Sequence, residues 1–188
     1  LSSGVSQIFS SEGGFAALKE DGSVVTFIAD NLGEAYRNVP TQHFGYETDT
    51  RFLDDLGLLD SGVIDITTTL RAYAALKDDG SVVVWGQHDG DRDPGGLEDP
   101  YLIMGTVAGG TEDFGGDDGS VYEELRSGVK KVYANEYSFA ALKDDGSVVT
   151  WGKDNGGGNS KIISTGLEPP IDIKEQISSG VNKIYSNY

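Results

Sequence analysis

One string recurs along this chain of 188 residues with only minor edits. Residues 125–152 read LRSGVKKVYANEYSFAALKDDGSVVTWG, residues 59–86 read LDSGVIDITTTLRAYAALKDDGSVVVWG, and residues 1–27 read LSSGVSQIFSSEGGFAALKEDGSVVTF. Residues 177–188, ISSGVNKIYSNY, begin the string again. Such self-similarity constrains a chain more than any single residue, because each copy must fold alike and bury its apolar face against its neighbours. The divisions follow: residues 1–58, 59–124 and 125–176 are three units, and 177–188 start a fourth.

Each unit opens with an apolar residue, any residue, Ser-Gly-Val, two residues, then Ile or Val. A β-branched run just after a glycine predicts a strand, with Gly4, Gly62, Gly128 and Gly180 marking a turn or a close backbone approach. A second apolar run follows at residues 15–18, 73–76 and 139–142. Its aromatic-Ala-Ala-Leu pattern puts small alanines where layers pack closely. Next come Asp21-Gly22, Asp79-Gly80 and Asp145-Gly146, and Asp-Gly between strand-like runs is the strongest short-range hairpin signal, since glycine supplies the positive φ that a two-residue turn demands. The third run ends in Phe27, Trp85 and Trp151. Each unit is thus at least strand, strand, tight turn, strand, and the chain is all-β. The registered aromatics are expected in the core between units.

Only the spacers differ in length and composition. Residues 29–58 carry aromatics and a short helical turn near 51–56, residues 87–124 are the most acidic and glycine-rich, and residues 153–176 read as extended. Variable insertions on a constant framework are expected to emerge at one rim, where loops are tolerated and function concentrates.

From Ser-Gly-Val through Ala-Ala-Leu-Lys-Asp-Asp-Gly-Ser-Val-Val-Thr-Trp-Gly, the unit resembles the repeat of the regulator of chromosome condensation family of β-propellers. Matching positions are Val129, Val132, Ala141, Leu142, Asp145, Gly146, Val148, Trp151 and Gly152, with their counterparts in the earlier units. The resemblance covers about half the chain. It implies a β-propeller-like array of antiparallel blades of about four strands each: about three blades plus the first strand of a fourth, with long loop insertions. Three blades do not close a ring, so the propeller closes in further sequence, by pairing of two chains through their end strands, or not at all. Three departures limit what carries over. Residues 134–138 replace the family's Ala-Gly and His-Ser, Phe27 replaces the first Trp, and the Asn-x-x-Gly-Gln-Leu-Gly stretch is missing. Similar units occur in long bacterial secreted or surface arrays, including cyanobacterial ones.

Charge narrows the partners. With 31 acidic against 14 basic residues the chain carries a formal charge of -17, which argues against nucleic acid and anionic membranes. Without Cys it has neither disulfides nor thiolate metal sites. No apolar run is long enough to span a membrane and no leader sequence opens the chain, which reads as a piece of something longer.

The candidate chemistry lies in the spacers. Asp89, Asp91 and Asp93 alternate, with Glu98 and Asp99 close behind. Such spacing gathers hard oxygen ligands around Ca²⁺, although Pro94 and Pro100 stand where an EF-hand has its turn Gly and bidentate Glu, and a solvated acidic loop is the plain alternative. Tyr36, Phe44, Tyr46, Tyr101 and Tyr122 fall outside the repeat register and are candidate ligand contacts, or anchors of a loop to its own blade. Neither His43 nor His88 has a partner at ligand spacing, and no nucleophile elbow or phosphate loop occurs. The expectation is a non-catalytic structural or adhesive module of an extracellular or cell-surface assembly, stabilised by calcium. A glycan- or protein-binding propeller and a virion component are the alternatives.

Overall fold

The computed structural model describes residues 4–12, 14–28, 57–70, 72–86, 121–152, 156–158, 161–162 and 171–186. Each of the first three units folds into a meander: β1 (Val5–Ser11), β2 (Gly14–Lys19) and β3 (Val24–Ile28); β4 (Val63–Thr68), β5 (Ala72–Lys77) and β6 (Val82–Gly86); β7 (Val129–Ala134), β8 (Ser138–Lys143) and β9 (Val148–Gly152). These form three separate three-stranded antiparallel sheets in the orders β1-β2-β3, β4-β5-β6 and β7-β8-β9. A single helical turn, α1 (Tyr122–Leu125), leads into the third unit, and the last spacer carries a short ladder between β10 (Lys161–Ile162) and β11 (Ile171–Asp172). The protein is an all-β, propeller-like array.

The tight turn differs from the expected two-residue form. Lys19 N donates to Ser23 O at 2.8 Å and Gly22 N to Lys19 O at 3.0 Å, and the same pair of bonds recurs at Lys77/Ser81 and Lys143/Ser147. Three residues are therefore looped out, with Gly22, Gly80 and Gly146 at φ 78, 78 and 79°. This is a type I turn closed by a left-handed residue, the usual three-residue hairpin.

Each first strand also carries a bulge at one constant place. The register shifts between Val5 and Gln7, between Val63 and Asp65, and between Val129 and Lys131. One extra residue reverses the alternation of faces beyond it. Val63 and Ile66, three apart, consequently point to the same side and are each 3% exposed. The Val-x-x-Ile spacing of the repeat is the sequence mark of this bulge.

Sheets bury their faces against one another, so the core consists of two inter-sheet layers. Ala16, Leu18 and Val24 of the first sheet meet Val63, Ile66, Tyr73, Ala75, Val83 and Trp85 of the second. Ala72, Ala74, Leu76, Val82 and Val84 on the second sheet's other face meet Val129, Val132, Phe139, Ala141, Val149 and Trp151 of the third. Strand β5 is accordingly buried on both faces from Ala72 to Leu76. Alanines at its centre let two sheets approach without voids. Tyr73 stacks on its cross-strand partner Trp85 at 5.2 Å, and Phe139 on Trp151 at 5.1 Å. Full burial of such a side chain contributes about 1.5–3 kcal/mol. In the first unit the expectation of a buried aromatic fails: Phe15 is 53% exposed, and among the described residues no sheet packs on its side.

Backbone bonds tie each unit to the next at the turn end, and the first three also at the other. At one end Val63 N donates to Gly22 O (3.0 Å), Val129 N to Gly80 O (2.9 Å) and Val181 N to Gly146 O (2.9 Å). At the other, Glu12 N donates to Leu70 O (2.9 Å) and Leu70 N to Glu136 O (3.1 Å). The fourth unit is thus seated in the same register as its predecessors. Its residues 181–186 have no second strand beside them and form no ladder among the described residues.

The resemblance implies four strands per blade, and three are present among the described residues. The path explains where a fourth belongs. β6 ends beside the start of β5, with Gly86 opposite Ala72. The next unit begins at the other end of the sheet, where Leu59 O accepts from Val24 N at 2.9 Å and Ile177 O from Val148 N at 2.9 Å. The two ends of a spacer are therefore separated by the length of a five-residue strand, about 17 Å at ~3.3 Å per residue.

The turn glycines differ sharply in what surrounds them. A Cβ on Gly80 would sit 2.9 Å from Gly128 N, whereas one on Gly4, at nearly the same φ, would meet nothing within 4 Å. Both substitutions strain a positive φ, at roughly 1–2 kcal/mol. Gly4→Ala should cost that much, and Gly80→Ala more than about 2 kcal/mol because it also forces two units apart. Urea unfolding followed by Trp fluorescence measures the difference, and equal costs would contradict the close approach.

Candidate functional site

Two rims are defined by the topology: one carries the Asp-Gly turns, and from the other the spacers depart. At the turn rim the repeated residues are consumed by local structure. Asp21 Oδ1 accepts from Ser23 N at 3.0 Å and Ser23 Oγ at 2.6 Å, and Asp79 with Ser81 and Asp145 with Ser147 do the same. These bonds stabilise the charged carboxylate. The Ser23 bonds, helped by Lys19, lower the pKa of Asp21 to about 2, and the corresponding serine bonds lower those of Asp79 and Asp145.

The repeated lysine stands two residues before each of these acids, and Lys19 pairs with its own, Nζ lying 3.1 Å from Asp21 Oδ2. Lys77 Nζ instead donates to Leu58 O at 3.1 Å and Lys143 Nζ to Glu124 O at 2.6 Å. The aliphatic stem reaches that carbonyl by lying over the Ser-Gly-Val glycine: Lys77 Cε is 3.3 Å from where a Cβ on Gly62 would be, and Lys143 Cε 3.6 Å from that of Gly128. Lysine and glycine thus act as a pair that fastens the incoming spacer to its own sheet, a role that residue-type reading of the sequence missed.

At the spacer rim the turn between first and second strands is built by a side chain. Thr69 Oγ1 accepts from Ala72 N at 3.0 Å; Asn135 Oδ1 accepts from Tyr137 N at 2.8 Å and Ser138 N at 2.9 Å. Asn135 Nδ2 then donates to Gly156 O at 2.7 Å, pinning the start of the third spacer. Ser11 Oγ and Tyr73 OH, 2.6 Å apart, join the first unit to the second, and burial pushes the Tyr73 phenol up. Beside this rim Tyr133, Asn135, Phe139, Gly157, Ile184 and Tyr185 line an open recess of about 120 Å³.

Of the residues singled out from the sequence, Gly4, Gly62, Gly128, Gly180, Gly22, Gly80 and Gly146 all have positive φ, and Trp85 and Trp151 are buried. The calcium candidates Asp89, Asp91, Asp93, Glu98 and Asp99 lie outside the described residues, as do Tyr36, Phe44, Tyr46 and Tyr101. Tyr122 begins α1. Among the described residues no three acidic or histidine side chains gather as metal ligands, and no helix is long and apolar enough to cross a membrane.

No protein-family model matches the chain, and no curated protein does. Among solved structures it is similar to yeast RCC1 (Prp20), determined bound to Kap60, at 16% identity and a TM-score of 0.39. The alignment covers 81% of this chain and 30% of that one.

The turn carboxylates make an acid-pH prediction. Their folded pKa values are depressed, so the stability they supply is present above the ordinary carboxylate range, near 4, and is lost as pH falls toward the folded values. The melting temperature should hold above about pH 5 and fall between roughly pH 4 and 2. Combined Asp21→Asn, Asp79→Asn and Asp145→Asn substitution keeps an acceptor for the serine bonds and removes the titration. Melting curves across that range should be shallower for the triple variant; parallel curves would show that other groups dominate.

Proposed function

We propose that the chain is a non-catalytic structural or adhesive repeat module of an extracellular or surface assembly, which binds protein partners through its spacers. The observation that carries this reading is the use already made of the repeated polar groups. The turn aspartates and serines bond to each other, and Lys77 and Lys143 bond to backbone carbonyls. The framework is therefore busy holding itself together, and what varies from unit to unit is the spacer. Rigid sheets carrying variable loops are the usual division of labour in binding modules.

A chain whose three spacers are replaced by Gly/Ser segments of equal length tests the reading. Near-UV circular dichroism from the Tyr73–Trp85 and Phe139–Trp151 stacks should persist, while adhesion to a cell surface is lost. Adhesion that survives in the folded chimera would overturn it.

Calcium enters the proposal through Asp89, Asp91, Asp93, Glu98 and Asp99, whose hard carboxylate oxygens are the ligand type the ion prefers. Added Ca²⁺ should raise the melting temperature by mass action on the folded state. Asp91→Asn with Asp93→Asn should abolish that rise, and calorimetry without measurable Ca²⁺ binding would remove the ion from the account.

A further inference from the structure

The hairpin turns place three Asp-Gly bonds at the surface, Asp21-Gly22, Asp79-Gly80 and Asp145-Gly146, and each of these aspartates is exposed. An Asp-Gly bond can rearrange through its own side chain, because glycine puts no side chain in the way of ring closure. The glycine amide nitrogen attacks the protonated aspartate carboxyl at Cγ; a nitrogen–carbon bond forms, and one carboxyl oxygen leaves as water together with the amide hydrogen. Water then opens the five-membered imide. Opening at Cγ restores aspartate, whereas opening at the main-chain carbonyl leaves isoaspartate, whose backbone runs through Cγ and is one carbon longer. Only water is released and consumed, so solvent exposure alone would leave all three bonds free to react.

The turn opposes each requirement of that ring closure. The amide must give up its hydrogen, and Gly22, Gly80 and Gly146 N donate it to Lys19, Lys77 and Lys143 O, each at 3.0 Å. Cγ must swing toward the amide nitrogen, yet the carboxylate is held on the residue beyond it. Asp79 Oδ1 accepts from Ser81 N at 2.9 Å and from Ser81 Oγ at 2.6 Å, and Asp21 and Asp145 are held alike by Ser23 and Ser147. The carboxyl must be protonated to release water, and the same serine bonds keep all three ionised, below the usual carboxylate range. All of these contacts belong to the closed hairpin and are lost together when it opens.

The product does not fit the array. Gly80 O accepts Val129 N at 2.9 Å, and the Cβ position of Gly80 lies 2.9 Å from Gly128 N. An extra backbone carbon just before that glycine shifts both. We propose that Asp21, Asp79 and Asp145 are isoaspartate-forming sites gated by their turns, silent while the hairpin is closed and converting, when a unit opens, to a form that no longer seats the next unit. The inference concerns the framework and does not rest on the adhesive reading.

The test holds the full chain at neutral pH, either folded in buffer or unfolded in urea, and follows isoaspartate site by site with peptide mass spectrometry. Site resolution is required because Asp89-Gly90 and Asp118-Gly119 also occur in the sequence. Isoaspartate should accumulate at Asp21, Asp79 and Asp145 in urea, and at least about tenfold more slowly in the folded chain, where only the open fraction reacts. Ser81→Ala removes one bond from Asp79. In the folded chain it should speed conversion at Asp79 about fivefold and leave Asp21 and Asp145 at their original rates; in urea it should change nothing. Chains modified at Asp79 and returned to buffer should melt below unmodified ones. Equal rates in buffer and urea, or no conversion in urea, would overturn the proposal. Folded Ser81→Ala chains with an unchanged rate at Asp79 would overturn the serine gate, and modified chains that melt like the original would overturn the effect on seating.

Discussion

Everything in this array hangs on a backbone contact between two glycines. The left-handed glycine of each Asp-Gly turn lies so close to the Ser-Gly-Val glycine of the following unit that a Cβ on Gly22 would meet Gly62 N at 2.8 Å, and one on Gly146 would meet Gly180 N at 2.8 Å. The turn glycine's carbonyl then accepts the amide of the next valine. The turn glycine satisfies two demands together, positive φ and the absence of a side chain, whereas its partner needs chiefly the positive φ: a Cβ on Gly180 would meet nothing within 4 Å. The contact sets both the distance between sheets and their relative height, so the aromatic and Ala-Leu-Val surfaces meet in one register.

Because each apolar layer is shared between neighbours, no sheet has a core of its own. A three-stranded meander with one covered face is marginal by itself, and the middle sheet is buried on both faces only because it stands between two others. Stability in such an array is a sum of unit terms and interface terms. Polar links reinforce each interface from the rims: Thr68 Oγ1 to Ser10 O at 3.1 Å, Ser11 to Tyr73, and the chain of amides through Glu12, Leu70 and Glu136. Among the described residues Trp151 Nε1 is a buried side-chain polar atom with no hydrogen-bond partner, while its ring stacks on Phe139 at 5.1 Å.

The functional division follows from this economy of surface. A repeat whose lysines fasten carbonyls and whose aspartates lock turns has few framework side chains left for a ligand. Each spacer's described ends lie at opposite ends of a sheet, with β3, β6 and β9 finishing at one rim and Leu59, Leu125 and Ile177 at the other. The unequal lengths of the spacers are tolerated because the glycine contact, not the spacer, places the next unit.

Much of this was legible in the residues. Period, turn, strands and the Ala-Ala pairs were read from the string itself, because hairpin chemistry and the alternation of faces are local. The bulge was present as the Val-x-x-Ile spacing but could be recognised only once both residues were found on one face. Neither the turn's third residue nor the lysine's carbonyl partner was readable, since each depends on where a distant backbone comes to rest. Sequence by itself determined that this protein repeats one antiparallel unit punctuated by left-handed glycines, for which backbone sterics leave almost no alternative. Tertiary structure alone decided that Phe15 is exposed while Tyr73 and Phe139, its equivalents, are buried: burial is a property of the sheet packed against a residue, and among the described residues none lies against Phe15.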